Sequence, residues 1–148
     1  MILFTCATSH ELQIVKSEIK KLKKCSEVEY LVSWMGNYET IFNLERFLSL
    51  RKPDFIVNIW VCGYKNEKFD LIQIWRVVNL AIGREVLLPI VFEFTKIESI
   101  ASSEKIIYDL LEIWEENFVD MESFWIEFMA NKYKIPRLIF KVPVDKIW

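Results

Sequence analysis

Three carboxylates in this 148-residue chain have the residue type and setting for proton chemistry: Glu11, Glu122 and Asp145. Glu11 follows the apolar run Ile2-Leu3-Phe4-Thr5-Cys6-Ala7 across Thr8-Ser9-His10. Glu122 belongs to Val119-Asp120-Met121-Glu122-Ser123, and Asp145 comes twenty-three residues later, on the last apolar run. Carboxylates can stabilise an electron-poor centre and manage protons at a leaving group and an attacking water. Each also has a plain structural account. Thr8 and Glu11 match the capping box, worth about 1 kcal/mol to a helix. Glu122 falls in the first turn of a helix, where a carboxylate complements the dipole. Asp145 reads as solvated tail and Met121 as core filler. Singly, each residue reads as structural, and only their joint order points to chemistry.

Other chemistries find less support. His10 is the single histidine, and Cys6, Cys25 and Cys62 form no CxxC pair, so no metal site is expected. No GxGxxG follows the first strand and no Gly-rich loop carries an Arg, which sets aside dinucleotide and phosphate binding. The net charge of −2 and pI near 5.6 give no basic stripe for nucleic acid. Lys20, Lys21, Lys23 and Lys24 cluster beside Leu22, as befits a helix C-terminus. Residues 1–7 lack the basic flank of a signal peptide. Pro89 and Glu93 interrupt the longest apolar stretch, Glu85 to Phe94, so no membrane span is expected. The compartment expected is a reducing cytoplasm.

The elements that must position these carboxylates alternate. A buried strand over residues 2–7 leads into a helix with Leu12, Val15, Ile19 and Leu22 on one face. A strand through Val28, Tyr30 and Val32 ends at Gly36-Asn37. A second helix carries Ile41, Leu44, Phe47 and Leu48 and stops at Lys52-Pro53-Asp54. Phe55 to Val61 is a third strand. This β-α-β-α-β order implies a parallel sheet with covering helices. Strands are then expected over residues 71–80 and 86–94, and Ser102-Ser103 caps a helix with Ile106, Ile107, Leu110 and Ile113. Phe118-Val119 is a short strand, residues 121–134 a helix with Trp125, Phe128 and Met129 near one face, and residues 138–142 the last strand. With no repeat or linker, residues 1–148 read as a single domain. Aromatics at 15% are a heavy load for it, and some are expected at a subunit or ligand surface.

Four segments together resemble the methylthioadenosine, adenosylhomocysteine and futalosine nucleosidases of the nucleoside phosphorylase superfamily. They are the opening strand running into Ala7-Thr8-Ser9-His10-Glu11, and the Lys-Pro-Asp lead into a strand with Asn58 and Cys62-Gly63. The third is Val119-Asp120-Met121-Glu122-Ser123 with Ile135-Pro136 after its helix, and the fourth the strand ending at Asp145. The resemblance implies a three-layer α/β fold with a mixed, mainly parallel central sheet, trimmed in the middle and at the C-terminus. It implies hydrolysis of a purine N-glycosidic bond without a cofactor. Asp145 would protonate the departing purine and Glu122 would bind the ribose hydroxyls. Met121 would pack on the sugar, and Glu11 would orient or deprotonate the water. A homodimer is also implied.

The departures from that family fall at the site. Trp34 precedes Met35-Gly36, and Trp60 precedes Cys62-Gly63, where these enzymes place small residues. Both indoles would reach substrate space. The stretch between about Phe94 and Phe118 is shrunken, and no closing helix follows Asp145. Two functions are therefore expected in competition. One is an active purine or futalosine-type nucleosidase. The other is a catalytically degenerate relative that binds a ligand or a protein partner.

Overall fold

Thr8 decides where the first strand stops. In the computed structural model, which describes residues 1–22, 27–113 and 115–147, β1 (Ile2–Cys6) gives way to α1 (Ser9–Lys21) at this residue. Its Oγ1 accepts from the Glu11 N–H at 3.3 Å, and Glu11 Oε2 accepts from the Thr8 N–H at 2.9 Å. The capping box is complete, so donors that α1 cannot satisfy internally are paired. Leu12 is buried, Val15 and Ile19 half-buried. Leu22 stands 64% exposed just past the helix, so the apolar stripe ends at Ile19. Lys20 and Lys21 complement the negative pole of the helix; Lys23, Lys24 and Cys25 lie outside the described residues.

β2 (Val28–Val32) and β3 (Phe55–Tyr64) flank β1, both parallel to it, and α2 (Asn37–Leu50) joins them. The chain steps from β1 to β2 one way and returns past β1 to β3 the other way. Right-handed crossovers therefore place α1 and α2 on opposite faces, giving three layers. β3 carries Ile56, Asn58, Trp60 and Cys62 on its buried face.

Beyond β3 the sheet curls. One edge of β3 runs parallel to β8 (Arg137–Lys146), with a register shift at Cys62/Gly63. The other edge pairs with β1 as far as Asn58 and then, from Gly63, with β7 (Phe118–Asp120). β8 pairs antiparallel with β4 (Ile72–Asn79), β4 parallel with β6 (Lys96–Ser102), and β6 parallel with β7. Strands β3, β8, β4, β6 and β7 thus close a ring, and β5 (Arg84–Leu87) is a short edge on β4. The result is one mixed, mainly parallel eight-stranded sheet. Among the described residues no helix is long and apolar enough to cross a membrane.

The middle of the chain departs from the sequence pattern. The strand expected over 86–94 ends at Leu87, because Pro89 has no N–H to continue a ladder. Buried Gln73 ties the next stretch down instead, donating to the Pro89 carbonyl and accepting from the Phe92 N–H, both at 3.1 Å. The helix expected after Ser102-Ser103 is absent. β6 occupies residues 96–102, and only a 3₁₀ turn, Leu110–Ile113, follows. Ser103 Oγ does accept from the Lys105 N–H at 3.1 Å, but that bond closes a local turn. Ile107 and Ile113 pack inward while Ile106 faces solvent, so the expected stripe does not form one helical face. α3 (Ser123–Lys132) is shorter than the 121–134 expected and packs against α2. It buries Phe124, Ile126, Met129 and Ala130, while Trp125 is half-buried and Phe128 is 42% exposed.

Candidate functional site

Between Asn58, the last partner of β1, and Gly63, the first partner of β7, neither strand covers that edge of β3. Neighbouring strands diverge there, and such switch points of α/β sheets open crevices at strand ends. A cleft of about 370 Å³ lies at this point, walled by Trp60 to Gly63, by Val119 to Glu122 and by Asp145 to Ile147. Lys105 to Tyr108, the irregular stretch after β6, and Met35 complete its rim.

Gly63 is what lets the strands meet. It lies opposite Val119 on β7 and Asp145 on β8. A Cβ there would stand 3.2 Å from Val119 Cγ1 and 3.3 Å from Ile147 Cδ1, tighter than ordinary contact, so both side chains would have to give way. This close approach holds Asp145 across the cleft from β7. The carboxylate-bearing residue is exposed, but it lies within β8 and not on a loose tail.

Glu122 is buried, with 3% of its surface exposed, at the N-terminal boundary of α3. Its carboxylate does not cap its own helix. Oε1 accepts from the Gly36 N–H at 2.8 Å and Oε2 from the Met121 N–H at 3.2 Å. Gly36 adopts φ +89°, a conformation L side chains rarely take, which points this N–H at Glu122. Burial, and then the charge of Asp120, push the Glu122 carboxyl up to about 7, against the pull of Lys141 and the two N–H groups. A carboxyl poised there exchanges protons near neutral pH.

Beneath the cleft runs a buried polar chain. Lys141, wholly enclosed, places its ammonium 2.7 Å from Asp120 Oδ2 and 2.9 Å from Asn58 Oδ1. Asn58 donates to the Thr5 carbonyl and to Thr5 Oγ1, and Ser123 Oγ donates to Asp120 at 2.6 Å. The Lys141 ammonium also lies 5.4 Å from the centre of the Trp60 ring, its register partner across β3 and β8. Cys62 lines the cleft, but burial pushes its thiol up to about 12, so it offers no thiolate nucleophile.

The structure therefore gathers Trp60, Met121, Glu122 and Asp145 around one cleft. Glu11 and Trp34 are not among its lining residues: Glu11 is engaged in the α1 cap, and Trp34 is 53% exposed, its neighbour Met35 reaching the rim instead. The sequence reading missed Lys141 and the network that holds it. The available signal was a lone lysine inside the apolar run Leu138 to Val142, since a buried charge demands a partner.

No protein-family model matches the chain, and no curated protein does either. Solved structures do. The Chlamydia trachomatis protein MTAN, bound to adenine, matches with a TM-score of 0.80 and 20% identity over 99% of this chain and 82% of that one. The Campylobacter jejuni 5'-methylthioadenosine/S-adenosyl homocysteine nucleosidase matches with 0.74 and 15% identity over 99% and 86%. A futalosine hydrolase mutant of Helicobacter pylori gives 0.76 and 14% over 96% and 88%. The chain has the fold of these nucleosidases, including the mixed sheet expected from the sequence.

Proposed function

We propose that the protein is a purine nucleosidase, hydrolysing the N-glycosidic bond of a purine nucleoside or futalosine-type substrate without a cofactor. The observation that carries this reading is the meeting of Met121, Glu122 and Asp145 in one cleft at the strand ends. Its volume falls within the range of small-molecule sites. The solved relatives bind adenine or are nucleosidases by name, in the same fold.

In this mechanism Asp145 acts as the general acid, giving a proton to a purine nitrogen as the bond to the sugar breaks. The electron pair of that bond leaves with the base. Positive charge develops on the sugar and is stabilised by the Glu122 carboxylate, which also accepts from ribose hydroxyls while Met121 packs on the ring. A water oxygen then bonds to the sugar carbon, and its proton passes to Glu122, whose affinity near 7 suits that duty. Glu11 is left chiefly to its cap. We place the reaction in the cytoplasm and the chain in a homodimer, for which exposed Tyr38 and Phe42 on α2 supply apolar surface.

The test is release of free base from a panel of purine nucleosides at high protein concentration. Release that falls at least about 10²-fold in Glu122→Gln and Asp145→Asn supports the reading. No release from any member of the panel would sink it. One observation favours a second reading: Trp60 occupies the cleft wall and Asp145 is exposed, so the site can be a ligand-binding remnant without turnover. A melting-temperature rise with adenine or a nucleoside, in the absence of base release, would select that alternative.

A further inference from the structure

We propose that Trp60 sets the substrate range of the cleft: its indole, held by Lys141, walls the sugar end and restricts the site to purine nucleosides without a bulky group on the ribose. The inference rests on the nucleosidase reading above and specifies its substrate class.

Trp60 is only 5% exposed, yet it lines the cleft. A side chain so placed is wall and not lid. Its ring cannot swing away freely, because the Lys141 ammonium lies 5.4 Å from its centre on the neighbouring strand. That ammonium is itself fixed, with Asp120 at 2.7 Å and Asn58 at 2.9 Å and no exposure to solvent. A desolvated cation against an indole face is among the stronger forms of this contact. The wall is therefore anchored through three side chains, Lys141, Asp120 and Asn58, to the floor of the sheet.

Its position along the cleft identifies what it limits. Trp60 leads through Lys141 and Asp120 to the neighbourhood of Glu122, the group assigned to the ribose hydroxyls. Asp145, assigned to the base, stands opposite Gly63, three residues further along β3. At a strand's rise of roughly 3.3 Å per residue, residues 60 and 63 stand about 10 Å apart along β3, so the two assignments fall at different levels of the cleft. The indole therefore faces the sugar. A substituent on the ribose would have to displace a packed ring with an anchored cation behind it, which close-packed interiors resist.

The experiment compares the dissociation constants of adenosine and of adenosine carrying a short alkyl thioether at the 5' carbon, by titration calorimetry. Wild type is expected to favour adenosine by about tenfold or more, the scale on which pockets reject extra methylenes. Trp60→Ala is expected to erase or reverse that preference, and Trp60→Phe to fall between; if the alanine variant does not fold, the phenylalanine variant decides. Lys141→Arg, which keeps a cation over the ring, should retain the preference, and Lys141→Met should relax it. A wild-type preference for the thioether, or a ratio that moves less than about threefold in both Trp60 variants, would overturn the inference while leaving the nucleosidase reading intact. If neither nucleoside binds wild type or any variant, the nucleosidase reading itself falls and takes this inference with it.

Discussion

The Lys141 ammonium and the Asp120 carboxylate stand 2.7 Å apart, with side-chain exposures of 0% and 2%. Both charges are withdrawn from solvent, so each relies on the other and on one polar neighbour, Asn58 for Lys141 and Ser123 for Asp120. Removing the cation alone leaves Asp120 buried beside Glu122, a second carboxylate that it already repels. Lys141→Met is therefore expected to cost roughly 3–5 kcal/mol in urea unfolding, the usual penalty for orphaning a buried partner. Lys141→Met combined with Asp120→Asn should recover part of that loss. Purely additive effects in this double-mutant cycle would contradict the coupling.

Glu122 ties stability to pH. Its folded affinity for protons, near 7, exceeds its ordinary 4.5, so the folded state holds a proton that the unfolded chain releases. The resulting contribution is fully present below about 4.5 and is lost as pH rises through about 7, with a maximum slope near 1.4 kcal/mol per pH unit. In total the effect is on the order of 3 kcal/mol. Glu122→Gln should flatten this part of the stability profile. Chemical denaturation from pH 4 to 8 measures it, and an unchanged slope in the variant would assign the dependence to another group.

Much of this architecture is legible from local pattern. The Thr8–Glu11 box, the proline at residue 53 and the alternating strands around β1 are dictated by neighbours in sequence, and the first half of the fold follows them. The middle is not legible that way. The strand over 96–102 pairs with β4 and β7, both distant in sequence, and its charged start gives no periodic signal. The site divides along the same line. Glu122, Asp145 and Trp60 announce themselves in ordered motifs, whereas the lysine that lies against Trp60 becomes meaningful only through pairing across strands. Lys141 reads as an anomaly until Asp120 and Asn58 are brought to it by the fold.

Glu11 offers a clean separation of structure from chemistry. Its Oε2 accepts from both the N–H and the hydroxyl of Thr8, each at 2.9 Å. Glutamine fills the same place in a capping box, so Glu11→Gln should change stability by only a few tenths of a kcal/mol. If Glu122 is the base for water, base release should fall less than about tenfold in Glu11→Gln and at least about 10²-fold in Glu122→Gln. Comparable losses in the two variants, measured as kcat/KM, would return the water to Glu11.

The turn that aims Gly36 at Glu122 carries strain that can be relieved at one position and worsened at the next. Trp34 has φ +64° and Gly36 φ +89°, two left-handed residues within three. The Trp34 side chain is half exposed, so it gains little packing in return for its backbone cost. Trp34→Gly removes that cost and is expected to leave stability level or raise it by up to about 1 kcal/mol, despite the added freedom of the unfolded chain. Gly36→Ala meets no atom within 4 Å, so any loss comes from backbone conformation alone. It should cost about 1–2 kcal/mol and also turn the N–H away from Glu122. Thermal unfolding of both variants, together with the pH profile of Gly36→Ala, checks the pair. With one compensating N–H misaligned, the Glu122 carboxyl should hold its proton to still higher pH, moving the end of its stability window upward.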